Sequence, residues 1–131
     1  MADHDNHGER LMVLMEAVVG AFAYVQALLA DLPLPVVIPD FAPSDDDEAP
    51  ITALLSLDRA RQLIQDEPIS ERDKRAFEHM VLDWFTAYEL LVVTRMAGPA
   101  PWRLDAAEFA LNRVVTWIEV IEDDEPDDDE S

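Results

Sequence analysis

The chain has 131 residues, half of them hydrophobic, with no cysteine and a formal net charge of −20. This length fits one domain with a sizeable core, and the lack of thiols excludes disulfides, thiol catalysis and zinc–thiolate sites. A charge this negative repels phosphates and anionic lipid. We therefore expect neither nucleic acid nor a membrane as a direct partner.

Most of the acidity lies in two runs. Asp45, Asp46, Asp47 and Glu48 form the first, and residues 122–130 form the second with eight acidic residues, which leaves −8 of the −20 for the remainder. Two interpretations stay open. The acidity is either an adaptation to a salty cytosol, which the single Lys74 against eight arginines also suits, or a means of recognising a basic partner.

Residues 1–8 are short and polar and are expected to be a flexible N-terminus. The next segment predicts a helix over about 9–31, with some 20 apolar residues, long enough to raise the question of a membrane span. Glu16 and Gln26 inside it weigh against a span because a mid-bilayer acid is costly. The flanks are acidic, with Arg10 the only nearby positive residue, so we expect no membrane anchor.

The first helix has two contrasting faces at helical spacing. One face is small: Glu16, Gly20, Ala23, Ala27 and Ala30. The other is bulky: Leu11, Leu14, Val18, Phe22, Val25 and Leu29. Small residues let another helix approach closely, so we expect this helix to be sandwiched between neighbours. Glu16 would then lie near a helix contact, either as a helix-end glutamate paired or reaching water or as a buried acid.

A proline-rich segment, residues 33–50, follows and is called the strap below. It contains five prolines and the first acidic run, so no helix is predicted there. Its apolar residues Val36, Val37, Ile38 and Phe41 favour an extended connection laid across the other helices. The second helix is predicted over about 51–67, with Ala53, Leu57, Ala60 and Ile64 on its apolar stripe.

The third helix, about 70–97, is the longest run of helical pattern without glycine or proline. Ser70 is placed as its N-cap, with Asp73 at the capping-box position, and Gly98 and Pro99 end it. In its last two turns Leu90, Val93 and Met96 lie on the side that is polar earlier in the helix. We expect this apolar surplus to be covered by the strap or by a partner.

The last helix is predicted over about 105–122. Asp105 is placed as its N-cap with Glu108 at N3, and Leu104 and Phe109 as a hydrophobic staple. The whole pattern predicts an all-α fold: a compact four-helix bundle with a long Pro-rich crossing loop between helices 1 and 2. Residues 9–121 form one helical domain and residues 122–131 a disordered acidic C-terminal tail.

No pattern in the sequence indicates catalysis. It lacks GxSxG, P-loop and GxGxxG motifs and has three glycines in all. Glu78, His79 and Asp83 cluster on the polar face of the third helix, and Ala76 stands where a Glu-x-x-His motif needs its glutamate. We therefore expect a non-enzymatic protein with no cofactor and no metal.

The leading hypothesis is a cytoplasmic protein-interaction module: an adaptor, an assembly chaperone or an inhibitor of another protein, which is basic if the acidity serves recognition. It includes self-association as a homodimer. The candidate partner-binding residues are Leu90, Val93, Met96, Trp102, Phe41, Asp45, Asp46 and Asp47. Two alternatives remain: a nucleic-acid mimic that blocks a basic nucleic-acid-binding protein, and a small-ligand or metal-binding helical bundle enzyme with its site near Glu16.

Overall fold

The computed structural model describes the backbone of residues 2–41 and 48–123 and the side chains of residues 7–41 and 51–123. Within those residues all regular structure is helical. The described residues form four α-helices: α1 (Ala2–Ala30), α2 (Glu48–Leu63), α3 (Glu71–Ala97) and α4 (Pro101–Glu122). A short 3-10 turn, Ile64–Asp66, extends α2. The predicted all-helical class and the number of helices are confirmed.

The N-terminus and the strap differ from the sequence-based boundaries. Helix α1 begins at Ala2 instead of residue 9, since helical hydrogen bonding extends cooperatively into the polar residues that precede the apolar run. Helix α2 begins at Glu48, so Pro50 lies in its first turn. Proline is tolerated there because the first N–H groups of a helix have no helical acceptor.

The ends of α3 follow the sequence signals. The Ser70 hydroxyl accepts a hydrogen bond from the Asp73 backbone N–H at 3.0 Å, which confirms the N-cap. Gly98 ends the helix with φ of 106°, a conformation that side chains other than glycine rarely adopt. The chain then turns within three residues into α4.

The start of α4 was predicted wrongly. The helix begins at Pro101 with Ala100 as its N-cap, because proline suits the first helical position. Asp105 is therefore one turn inside the helix. Asp105 and Glu108 each accept a 2.7 Å hydrogen bond from the Arg10 guanidinium of α1, and Phe109 is exposed instead of packing as a staple.

One hydrophobic core joins all four helices. The apolar stripes contribute Leu57 of α2, Trp84 of α3 and Val114 of α4, all fully buried. Helix α3 lies antiparallel to α4, and α1 contacts both. In α1 the bulky face is buried from Leu14 to Leu29. This arrangement turns the small-residue face of α1 outward.

Phe41 is the point at which the strap enters the core. Its ring lies 5.3 Å from that of Phe22, 5.8 Å from Trp84 and 5.3 Å from Tyr88. Farther back, the Gln26 side chain donates to the Ile38 carbonyl at 2.7 Å. The described part of the strap is thus held by one aromatic insertion, by two hydrogen bonds from Gln26 and by partly buried apolar residues that pack against the core.

Candidate interaction surface

Helices α3 and α4 are fixed in register by polar contacts along their seam. Near the connecting turn, Arg103 donates to the hydroxyl of Thr94 at 3.1 Å. Toward the other end, the Asp83 carboxylate accepts hydrogen bonds from Arg113 and from the Trp117 indole, each at 3.2 Å. These contacts lie about three to four helical turns apart, so the intervening residues of the two helices run side by side.

The outward side of this helix pair carries large apolar groups. Trp102 and Phe109 are seven residues apart and therefore share one side of α4; each is 64 % exposed. On α3, Val93 is 44 % exposed and Met96 is 81 % exposed. Leu90 is half-buried against the core. We call Leu90, Val93, Met96, Trp102 and Phe109 the α3–α4 surface.

The indole ring of Trp102 is held in place by the guanidinium group of the adjacent Arg103. The Arg103 guanidinium carbon lies 4.8 Å from the centre of the indole ring, within the range of a cation–π contact. Arg103 is itself anchored by Thr94, whose hydroxyl is buried in the seam. An aromatic side chain positioned in this way loses less conformational freedom when it binds a partner.

The predicted partner-binding residues therefore separate into three groups. Val93, Met96 and Trp102 are exposed close to the α3–α4 turn, and Leu90 lies at the edge of the same region. Phe41 is corrected: the residue is 7 % exposed and its ring packs in the core, because the aromatic cluster encloses it. Asp45, Asp46 and Asp47 lie outside the described residues.

Phe109 was missed as a surface residue. With Asp105 interpreted as the N-cap, Phe109 was predicted to pack against Leu104 in a hydrophobic staple. Its exposed position on the outer side of α4 was therefore not predicted. A better signal is the spacing of Trp102, Ala106, Phe109 and Arg113 at i, i+4, i+7 and i+11, which places all four on one side of a helix that begins at Pro101.

The polar cluster on α3 is engaged in pairing. Glu78 lies 3.6 Å from the Arg61 guanidinium of α2, and the His79 ring stacks on Trp117 with 4.8 Å between centroids. Among the described residues, no group of three or more acidic or histidine side chains is arranged to hold a metal ion.

Two further groups show how the surroundings stabilise a protonation state. Burial raises the pKa of the Tyr88 hydroxyl, since the phenolate would lose water contacts. A hydrogen bond to Glu122 raises the pKa of Tyr24.

Glu16 is exposed, so the buried acid on which the enzyme alternative depended is not present there.

Helix α1 passes the length and composition test for a membrane span between His7 and Ala30, with a mean hydropathy of 1.8. This is weak evidence, since core helices and signal sequences pass the same test. Only 22 % of the residues in its most apolar window are buried. Much of this helix is therefore apolar and outside the core.

Searches against protein-family models, curated protein sequences and solved structures found no match to this chain.

Proposed function

We propose that the chain is a non-enzymatic, acidic helical interaction module of the cytoplasm that binds another protein through the α3–α4 surface. In this proposal the four helices form a compact bundle, the strap crosses one side of it, and the acidic C-terminal tail stays outside. Binding serves an adaptor, assembly-chaperone or inhibitor role.

The observation that carries the proposal is the pair of exposed aromatic residues, Trp102 and Phe109, on one side of α4. Tryptophan is enriched among the residues that dominate binding energies, and such residues cluster near the centre of an interface. Leu90 and Val93 supply apolar surface beside them. Isolated exposed apolar residues are common, whereas several large ones exposed on two neighbouring helices indicate an interaction site.

The net charge of the chain indicates which charge the partner carries around its binding groove. With a net charge of −20, association with an acidic protein is opposed over long range and association with a basic one is accelerated. The partner we propose has an apolar groove for the two aromatic side chains and a basic rim. Affinity then comes mainly from the groove, and the charges raise the association rate.

Photo-crosslinking tests this proposal with any partner that the cell supplies. A benzoylphenylalanine residue is placed at Phe109 in one variant and at Val115 in a matched control, since both positions are exposed on α4. We expect a discrete adduct with a basic protein from position 109 and none from position 115. The adduct should disappear when Trp102→Ser is added to the position-109 variant.

Equal crosslinking from both positions would contradict the proposal. Binding that survives Trp102→Ser but is lost at moderate salt would also contradict it, since that behaviour indicates attraction by charge alone. Binding of a nucleic-acid-binding protein that persists at moderate salt and after removal of the tail would favour the mimic instead.

A further inference from the structure

The outward face of α1 is apolar over most of its length and has no cover in the described chain. Between Met12 and Ala30, Glu16 is the single charged residue on this face; the exposed Glu9 precedes the stretch and Asp31 follows its end. We call this the outer α1 face. Its apolar members, all exposed, are Met12, Val13, Ala17, Gly20, Ala23, Ala27 and Ala30. The prediction that neighbours of the same chain sandwich this helix is wrong for this face, because α3 and α4 both pack on the opposite, bulky side.

The two halves of the outer α1 face differ in shape. Near its start, Met12 and Val13 are 65 % and 62 % exposed and project from the helix. Near its end the centre of the face carries only alanines, and the exposed Tyr24 lies at its edge. Ala27 and Ala30 line a depression of about 490 Å³ whose other wall is the strap at Val36 and Val37. One half therefore protrudes and the other is recessed.

Gly20 lies between the two halves, and no other part of the described chain packs against it. A Cβ atom added there would meet nothing within 4 Å, and its φ is not positive. A glycine inside a helix costs about 1 kcal/mol relative to alanine. Glycine permits another backbone to approach closely, and the open space around Gly20 leaves room for such an approach from outside the protomer.

We propose that the outer α1 face is a self-association surface, on which α1 of a second copy packs antiparallel about a two-fold axis near residue 21. An isologous pair brings each half of the face against the other half. In this register Met12 lies opposite Ala30 of the partner subunit. The protruding half of each copy then fills the recessed half of the other, and Gly20 lies near the axis, where the helices are closest.

The charge pattern selects the antiparallel arrangement. In this register Glu16 lies level with residue 26 of the partner subunit, where the outer face carries the neighbouring Ala27 and no charge, and the two Glu16 positions are roughly 15 Å apart along the helices. That separation exceeds the screening length of about 10 Å at 0.1 M salt. A parallel pair would instead place the two Glu16 carboxylates, and the two protruding halves, against each other.

The size of the face sets the expected affinity. From Met12 to Asp31 it is about 29 Å long and about 10 Å wide, and the exposed Tyr24 and Val37 extend its edges. We expect roughly 600 Å² to be buried on each protomer, at the low end for a specific interface. The repulsion between two acidic copies lowers the affinity further, so the dissociation constant should be in the micromolar range and should fall as salt is added.

Sedimentation equilibrium on the full chain tests the location of this surface. We expect the Ala23→Glu variant to raise the dimer dissociation constant at least about 100-fold, because two unpaired carboxylates would be enclosed close to the axis. Gly20→Leu should also dissociate the dimer while improving the helical propensity of the protomer. Circular dichroism confirms that both variants fold, which their exposure in the protomer favours.

The matched control is Phe109→Glu, which adds the same charge to the α3–α4 surface and should leave the dissociation constant within about twofold. A chain that stays monomeric at millimolar concentration in 1 M NaCl would overturn the proposal. Dissociation by Phe109→Glu but not by Ala23→Glu would also overturn it and would locate self-association at Leu90, Val93 and Met96. The result does not depend on the α3–α4 surface binding another protein.

Single cysteines test the arrangement, since the chain has none of its own. Met12→Cys and Ala30→Cys variants should form a disulfide-linked dimer when mixed, and neither should do so alone. Self-linking of Met12→Cys would overturn the antiparallel pairing. Flotation with phosphatidylcholine vesicles, if it were abolished by Ala23→Glu, would overturn the proposal in favour of a lipid-facing α1.

Discussion

At the scale of single residues, Trp84 connects the parts of the core. Its ring lies 5.2 Å from Phe22 of α1 and 5.3 Å from Tyr88, and its indole N–H donates to the Val18 carbonyl at 2.8 Å. The position is fully buried. One side chain thus combines a large apolar area with a satisfied polar group.

We expect Trp84→Phe to lower the free energy of unfolding by about 2 to 4 kcal/mol, because the smaller ring leaves a cavity and the indole hydrogen bond is lost. Urea denaturation followed by circular dichroism measures the change. Trp102→Phe is the matched control and should alter stability by less than about 0.5 kcal/mol, since that residue is exposed. Equal effects of the two substitutions would contradict the packing described here.

Helical spacing was sufficient to identify most of the core. It placed Leu57 and Ala60 on the apolar stripe of the second helix, and both are fully buried. It failed at Phe41, which belongs to a segment without a period. The burial of Phe41 is decided by the tertiary gap between Phe22, Trp84 and Tyr88, and no local pattern describes that gap.

At the scale of helices, two similar N-terminal signals had different outcomes. Ser70 caps α3 as predicted. Asp105, four residues into α4, pairs with Arg10 instead. Serine and aspartate are both good caps, but Pro101 offered an earlier start and the Arg10 guanidinium offered Asp105 and Glu108 a partner. A local motif was overridden by a contact 95 residues away in sequence.

Because Ser70 is a cap and Asp105 is half of an ion pair, substitutions at the two positions should affect stability differently. Ser70→Ala should lower the free energy of unfolding by about 1 kcal/mol through loss of the cap. Asp105→Ala should cost about 0.2 to 1 kcal/mol as one arm of an exposed ion pair. In an Arg10→Met background we expect most of the Asp105→Ala effect to vanish, whereas the Ser70→Ala effect should not change.

Urea titrations of the single and double variants measure these coupling energies. An Asp105→Ala cost that is the same with and without Arg10 would show that Asp105 acts as a cap. The same comparison explains which boundaries the sequence revealed. The signals at both ends of α3, Ser70 and Gly98, were reliable. Pro50 and Asp105 did not mark the first residues of α2 and α4, because both helices begin earlier.

At the scale of the whole molecule, the net negative charge is the dominant property, and it can be read directly from the sequence. Arg10, Arg61 and Arg113 each pair with acidic residues of the same chain, but nine basic residues face 29 acidic ones. Most carboxylates therefore repel one another. Self-repulsion of this kind destabilises a compact state and is relieved by salt.

We expect the free energy of unfolding in urea to rise between 0.01 and about 0.5 M NaCl, through screening over the range where the Debye length falls from about 30 Å. A chain ending at Glu122 lacks seven of the acidic residues and should show a smaller rise. Sucrose of equal osmolality is the control for exclusion effects.

An equal rise in both chains would place the repulsion among the helices instead of the tail. A chain that folds only near molar salt would support the interpretation of acidity as an adaptation to habitat. Either result leaves the apolar surfaces of α1 and of α3–α4 unchanged, since neither is built from the acidic runs.

The indole hydrogen bond of Trp84 has a consequence for motion. Its acceptor, the Val18 carbonyl, lies in the middle of α1, so any sliding of α1 along its axis would break a buried bond about halfway along the helix. Helix α1 is therefore held against a piston-like displacement. The exchange of that one indole proton with deuterium should be as slow as global unfolding. The exchange rate of this single proton therefore measures how often the whole protein opens.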